Sequence, residues 1–193
     1  SVQQKGLFHD APLNDICALL RLAVYPHDRA VYAQVLRSPF VRLSDRSFTR
    51  LMLHSLEHDP QPFAPSAAEE LDAKDRQYFL NASALFERLQ GSIKKKSNAE
   101  LITALWYDEG YRYILLTEPR YHRYLELYDY LFALAVKADA AGQSLSAFID
   151  TLISYIHVEE RIEDMEIPLE HGGDAVKIMT VHKSKGLEFP IVC

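Results

Sequence analysis

The last twenty residues, Asp174-Ala-Val-Lys-Ile-Met-Thr-Val-His-Lys-Ser-Lys-Gly-Leu-Glu-Phe-Pro-Ile-Val-Cys193, read differently from everything before them. Val176, Ile178 and Val181 form one short β-branched run, and Phe189 to Val192 form a second. Between them lies a polar turn, His182-Lys183-Ser184-Lys185-Gly186. Two buried strands flanking a basic, glycine-ended loop predict an α/β sheet whose strand end presents charge to a ligand. Lys183, Ser184 and Lys185 can meet phosphate oxygens, Gly186 permits a tight turn, and Glu188 can accept from a sugar hydroxyl.

The remainder reads as helix. Pro12 sits where a first helical turn accepts proline, and Leu13 to Tyr25 is apolar nearly all round until Pro26 stops it. Asp28 is placed to cap a helix ending at Arg37, and Ser44 another ending near His58. Asp59 to Pro65 is a proline-spaced linker. Ser66 with Glu69 predicts a capping box and a long helix through Leu89 and Gln90, with Gly91 as its stop. A second box, Ser97 with Glu100, opens a helix closed by Gly110. Tyr121 to Ala138 forms another, ended by Gly142, and Ser144 starts the last, running to about Asp164. Glu170 to Gly173 then hinges into the C-terminal stretch.

That stretch resembles one family closely. Thr180, His182, Lys185, Gly186, Leu187, Glu188, Phe189 and Pro190 match motif V of superfamily-1 DNA helicases of the UvrD/Rep type. The wording His-Lys-Ser-Lys-Gly-Leu-Glu is closest to the helicase–nuclease chains AddA and RecB, the exonuclease V beta subunit. The run from Asn14 through Leu22 to Asp28 is similar to the helix leading from the second RecA-like motor domain into an inserted helical subdomain, 2B. The match continues through Tyr32 to Phe40 and Leu43 to Asp45.

The resemblance implies a mostly α fold: a helical bundle with two short C-terminal strands from the motor domain. It divides the chain into residues 1–25 as a motor-domain flank, 26–172 as the helical subdomain and 173–193 as the return carrying motif V. Thr180, His182, Lys183, Ser184 and Lys185 are then expected at DNA, and Gly186 and Glu188 at bound nucleotide. One departure stands out. Where UvrD-type chains carry a Gly-Ile-Gly turn that grips duplex backbone, this chain has Arg42-Leu43-Ser44. Arg37, Arg42 and Arg46 remain able to bind phosphate through their side chains.

The implied parent hydrolyses ATP with Mg2+, unwinds duplex DNA in repair and recombination, and has as partners single-stranded and duplex DNA, the rest of its motor and, as one option, a nuclease subunit. This chain is expected to be a non-catalytic accessory piece. None of its seven glycines is followed by lysine, so it lacks a phosphate-cradling Gly-x-x-x-x-Gly-Lys loop. It therefore predicts no catalytic residue, no metal and no cofactor of its own. The competing reading is a stand-alone helical interaction module, which a gene ending at Cys193 would favour over a reading frame that continues.

Composition fits either reading. At 48% hydrophobic the chain has ample core, and its net charge of −6 confines any nucleic-acid contact to local patches. Cys17 and Cys193 suit a reducing compartment. With no leader and no apolar run of about 18 residues, a soluble cytoplasmic protein without a membrane partner is expected. Ending inside an apparent strand suggests a piece cut from something larger.

Several spellings compete with this picture. His54-Ser55-Leu56-Glu57-His58 matches a zinc-peptidase pattern, but Asp59-Pro60 ends that helix at once. Trp106-Tyr107-Asp108-Glu109 mimics a magnesium-holding strand end, yet the box at Ser97 and the stop at Gly110 place it on a helix end. Lys94-Lys95-Lys96 could touch duplex DNA but reads more readily as a solvated turn, and Tyr121, Tyr124, Tyr128, Tyr130 and Phe132 as helix packing rather than base stacking.

Overall fold

A computed structural model describes residues 11–57, 61–117 and 127–159. Its order is α1 (Ala11–Val24), α2 (Arg29–Arg37), α3 (Asp45–Glu57), a 3-10 turn (Pro65–Glu70), α4 (Ala73–Ile93), α5 (Asn98–Thr103), a π turn (Ala104–Asp108), α6 (Tyr111–Thr117), α7 (Leu127–Ala140) and α8 (Leu145–Glu159). No strand occurs among the described residues, and both predicted C-terminal strands lie outside them. No described helix is long and apolar enough to cross a membrane.

The core is built on α1. Leu13, Ile16, Leu19, Leu20 and Leu22 are all buried, on every side of the helix. A helix apolar all round must be enclosed, and α2, α4, α7 and α8 enclose it. One acid shares that environment. Asp15 is buried and accepts a hydrogen bond from the Tyr111 hydroxyl at 2.8 Å. Burial pushes its carboxyl up to about 7, the Tyr111 bond pulling the other way. The neighbouring Cys17 thiol is pushed up to about 12, by burial first and then by the Asp15 charge.

Four helix starts follow the sequence, Ser44 before α3 among them. Asp28 Oδ1 accepts from the Ala30 and Val31 amides at 3.1 Å each. Ser97 and Glu100 form the reciprocal capping box. Ser144 Oγ accepts from the Ala147 amide at 3.3 Å, while Gly142 takes φ +67 to end α7. The described part of the tyrosine-rich helix packs as expected. Tyr128 stacks on Trp106 (centroids 5.0 Å) and on Phe132 (5.6 Å). Tyr121 and Tyr124 lie outside the described residues.

The expectation for α4 needs correction at both ends. Ser66 and Glu69 belong to the 3-10 turn, and α4 begins only at Ala73, capped by Asp72, which accepts from the Asp75 amide at 3.0 Å. The turn is held together by Arg76, which donates to the carbonyls of Ala68, Glu69 and Leu71. At the other end the helix runs through Gly91 to Ile93, because Gly91 keeps ordinary helical backbone and adopts no positive φ. The helix after Ser97 also widens into a π turn before Gly110, at φ +73, closes it. Beyond it lies α6, which periodicity does not mark.

Candidate nucleic-acid interface

The α2–α3 hairpin positions Arg37 and Arg42. Pro39 disfavours helical backbone at Ser38, which turns extended and ends α2. The Ser38 hydroxyl donates to the Val35 carbonyl at 2.7 Å. The Ser38 carbonyl then accepts from both the Val41 and Arg42 amides, at 3.1 and 3.3 Å. Buried Val41 anchors the loop from below, and half-buried Phe40 stacks on Tyr111 with centroids 4.4 Å apart and planes 18° off parallel.

At the tip, Arg42 adopts φ +61. This is left-handed backbone, which costs a side-chain-bearing residue about 1 kcal/mol and glycine almost nothing. Arg42 thus holds a backbone conformation that ordinarily favours glycine. Its Nε donates to the Pro39 carbonyl at 3.3 Å, and its side chain is exposed. The guanidinium of Arg37 lies over the Phe48 ring, 4.3 Å from its centroid, which ties the end of α2 to α3. Arg46 is exposed on the first turn of α3 beside Asp45.

The start of α3 is occupied from inside the protein. Ser44 caps it, its Oγ accepting from the Ser47 amide at 3.3 Å. The Ser44 amide and hydroxyl both donate to Oδ2 of Asp75, which reaches across from α4 and is buried. Burial alone would raise that carboxyl. Hydrogen bonds from the Ser44 and Ser47 hydroxyls and the Ser44 amide, with Lys74 nearby, hold it below the ordinary carboxylate range instead. An internal carboxylate sits where an external phosphate would otherwise meet this amide. The hairpin therefore offers guanidinium groups outward and commits its Ser44 amide inward.

Of the predicted site residues, the structure brings Arg37 and Arg42 together on this hairpin. Thr180, His182, Lys183, Ser184, Lys185, Gly186 and Glu188 lie outside the described residues. Sequence reasoning missed Asp75, whose spelling in Asp72-Ala-Lys-Asp75 is that of any helix start. It also missed the Asp15–Tyr111 pair, although a lone acid among α1's leucines was the available signal.

The competing spellings resolve into structural contacts. His54 Nδ1 lies 2.8 Å from Glu70 Oε1, and its Nε2 lies 3.4 Å from the Ser66 hydroxyl. Its partner in the zinc-type spelling, His58, is outside the described residues. Glu109 grips Arg88 of α4 in a fork, at 3.0 and 2.6 Å. Lys94, Lys95 and Lys96 are exposed on the turn after α4.

The model of the UvrD-like helicase C-terminal domain family matches residues 1–193. The chain belongs to that family. Within it, the chain is 28% identical to the AddA-type ATP-dependent helicase/nuclease of Geobacillus kaustophilus (strain HTA426), over 97% of this chain and 16% of that protein. It is 27% identical to the AddA-type protein of Levilactobacillus brevis, again over 97% and 16%. It is 26% identical to the ATP-dependent DNA helicase PcrA of Leuconostoc citreum, over 92% of this chain and 25% of that protein. The chain spans about one-sixth of the length of the AddA-type proteins that it matches.

Proposed function

We propose that this chain is the inserted helical subdomain, with short flanks of the second motor domain, of an ATP-dependent DNA helicase of the AddA helicase/nuclease kind. In this reading residues 26–172 guide duplex DNA, and residues 173–193 couple strand movement to the ATP cycle. The observation that carries it is the α2–α3 hairpin, whose tip residue Arg42 keeps glycine-type backbone at φ +61 while directing a guanidinium outward. Arg37 and Arg46 flank it, so contact is made by side chains, in place of the backbone contact that the Gly-Ile-Gly turn of UvrD-type chains implies.

ATP and Mg2+ belong to the parent motor. Gly186 and Glu188 are the residues of this chain assigned to the nucleotide, and Thr180, His182, Lys183, Ser184 and Lys185 those assigned to single-stranded DNA. The names of the relatives support a nuclease activity in the same assembly. The chain itself is an accessory element of that machine and turns over no ATP.

Fluorescence anisotropy of the 193-residue chain with labelled duplex and single-stranded DNA tests the reading. Duplex binding that falls with salt and weakens several-fold on Arg37→Gln with Arg42→Gln is the expected result. Duplex binding indifferent to both arginines would overturn it.

A further inference from the structure

Charge on α4 is distributed against the trend of the chain. The protein carries a net −6, yet the exposed charged side chains from Ala73 to Lys96 are six cations (Lys74, Arg76, Arg88 and Lys94–Lys96) against one acid, Glu87. Arg76 is engaged with carbonyls of the 3-10 turn and Arg88 with Glu109. None of Lys94, Lys95 and Lys96 forms an ion pair among the described residues. They stand together at the C-terminal end of the helix.

The other end of α4 is bonded to the arginine hairpin, through Asp75 and Ser44. A straight helix rises about 1.5 Å per residue, so Asp75 and Lys94 stand roughly 28 Å apart along its axis. B-form DNA repeats every 34–36 Å or so, and successive phosphates of one strand are spaced about 3.4 Å along its axis. The point where the hairpin is bonded to α4 and the start of the lysine run are thus separated along the helix by most of one DNA turn.

We infer that α4 is a rigid spacer in a two-point clamp on the duplex backbone, with the arginine hairpin at one end and Lys94, Lys95 and Lys96 at the other. The inference rests on the proposed DNA-guiding role and adds a second contact site to it. The lysines act as point charges, so they add affinity and salt dependence without sequence preference.

The test uses the 193-residue chain, the triple variant Lys94→Gln, Lys95→Gln, Lys96→Gln, and the Arg37→Gln, Arg42→Gln variant. Each is titrated with a duplex of about 20 base pairs and with a looped stem of about 6, which is roughly 20 Å long and too short to span both clusters. The expected result is roughly tenfold or greater loss on the long duplex for the lysine variant, and a salt slope lower by about 2 to 3. On the short stem the lysine variant is expected to match the unaltered chain. Melting temperature checks that the exposed lysines leave the fold intact. Equal loss on both lengths, which marks an independent lysine site, would overturn the spacer. No loss on either, with the arginine variant still weakened on both, would overturn it while leaving the proposed function standing. Absence of duplex binding by any form would remove both.

Discussion

Tyr111 donates its phenolic hydrogen to Oδ2 of Asp15, a residue 96 positions earlier, in the N-terminal half of the largely apolar α1. The same ring stacks on Phe40 and lies 5.9 Å from Trp106. One side chain thereby joins α1, the hairpin loop and the π turn. Its polar end is satisfied by the acid and its faces by aromatic packing.

The first prediction concerns that acid. The folded chain keeps a proton on Asp15 up to about pH 7, whereas an unfolded chain releases it near the ordinary value of 3.8. A group whose folded pKa is raised stabilises fully below its unfolded pKa, and that contribution is lost as pH rises through the folded one. Stability should therefore fall between about pH 4 and 7. Asp15→Asn should be more stable than the unaltered chain by a few kcal/mol at pH 8, roughly 1.4 kcal/mol for each tenfold change in proton affinity, and should flatten the dependence. Chemical denaturation at pH 5 and pH 8 measures both; an unchanged pH profile in Asp15→Asn would refute the assignment.

Asp75 gives the opposite sign. Its folded pKa is depressed, so its contribution is present above the ordinary carboxylate value and disappears as pH falls through the lower folded one. Asp75→Ala removes the acceptor of the Ser44 amide and hydroxyl, at a cost of about 2 kcal/mol near neutrality. The variant and the unaltered chain should converge in stability as pH falls below the ordinary carboxylate range. Urea midpoints across that range provide the check, and a constant gap at all pH values would count against this role.

Arg42→Gly separates fold from function. It relieves left-handed strain of about 1 kcal/mol, offset in part by the greater chain entropy of glycine. Thermal stability should stay level or rise slightly while duplex affinity falls. Arg42→Val, β-branched at the same backbone angle, should lose stability clearly. If valine is tolerated as well as glycine, backbone conformation does not constrain the tip.

Asp139 caps α5 from outside it, its two oxygens accepting from the Asn98 and Ala99 amides at 2.9 Å each. Burial would raise its carboxyl, and these bonds bring it below the ordinary range. Asp139→Asn turns an amide NH2 toward one of those donors. Hydrogen exchange at Asn98 or Ala99 should accelerate by about tenfold or more, the equivalent of about 1.4 kcal/mol of local protection. Unaltered protection at both amides would remove the capping role.

Much of the helix order was legible because its signals are local. Asp28, Ser97, Gly110, Gly142 and Ser144 each act on backbone within a few residues of themselves. The start of α4 was misplaced because Ser66 and Glu69 carry the spelling of a capping box, whereas Arg76 draws three carbonyls of that segment into a 3-10 turn. Gly91 was misread because glycine's freedom is only a permission, and here the helix continues through it. At the interface, the arginines and the missing glycines could be seen in the sequence. The engagement of the Ser44 amide by Asp75 could not, since nothing local links positions 31 residues apart.

The two borrowed carboxylates also bear on how the chain matures during synthesis. The first turn of α3 awaits a side chain encoded 31 residues later, and that of α5 one encoded about 40 residues later. Each turn has its own local cap, from Ser44 and from Ser97 with Glu100, but lacks its distant acceptor as it leaves the ribosome, at about 5–20 residues per second. Each gains its tether seconds afterwards, α3 before α5, so the arginine tip is secured while the later helices are still being made.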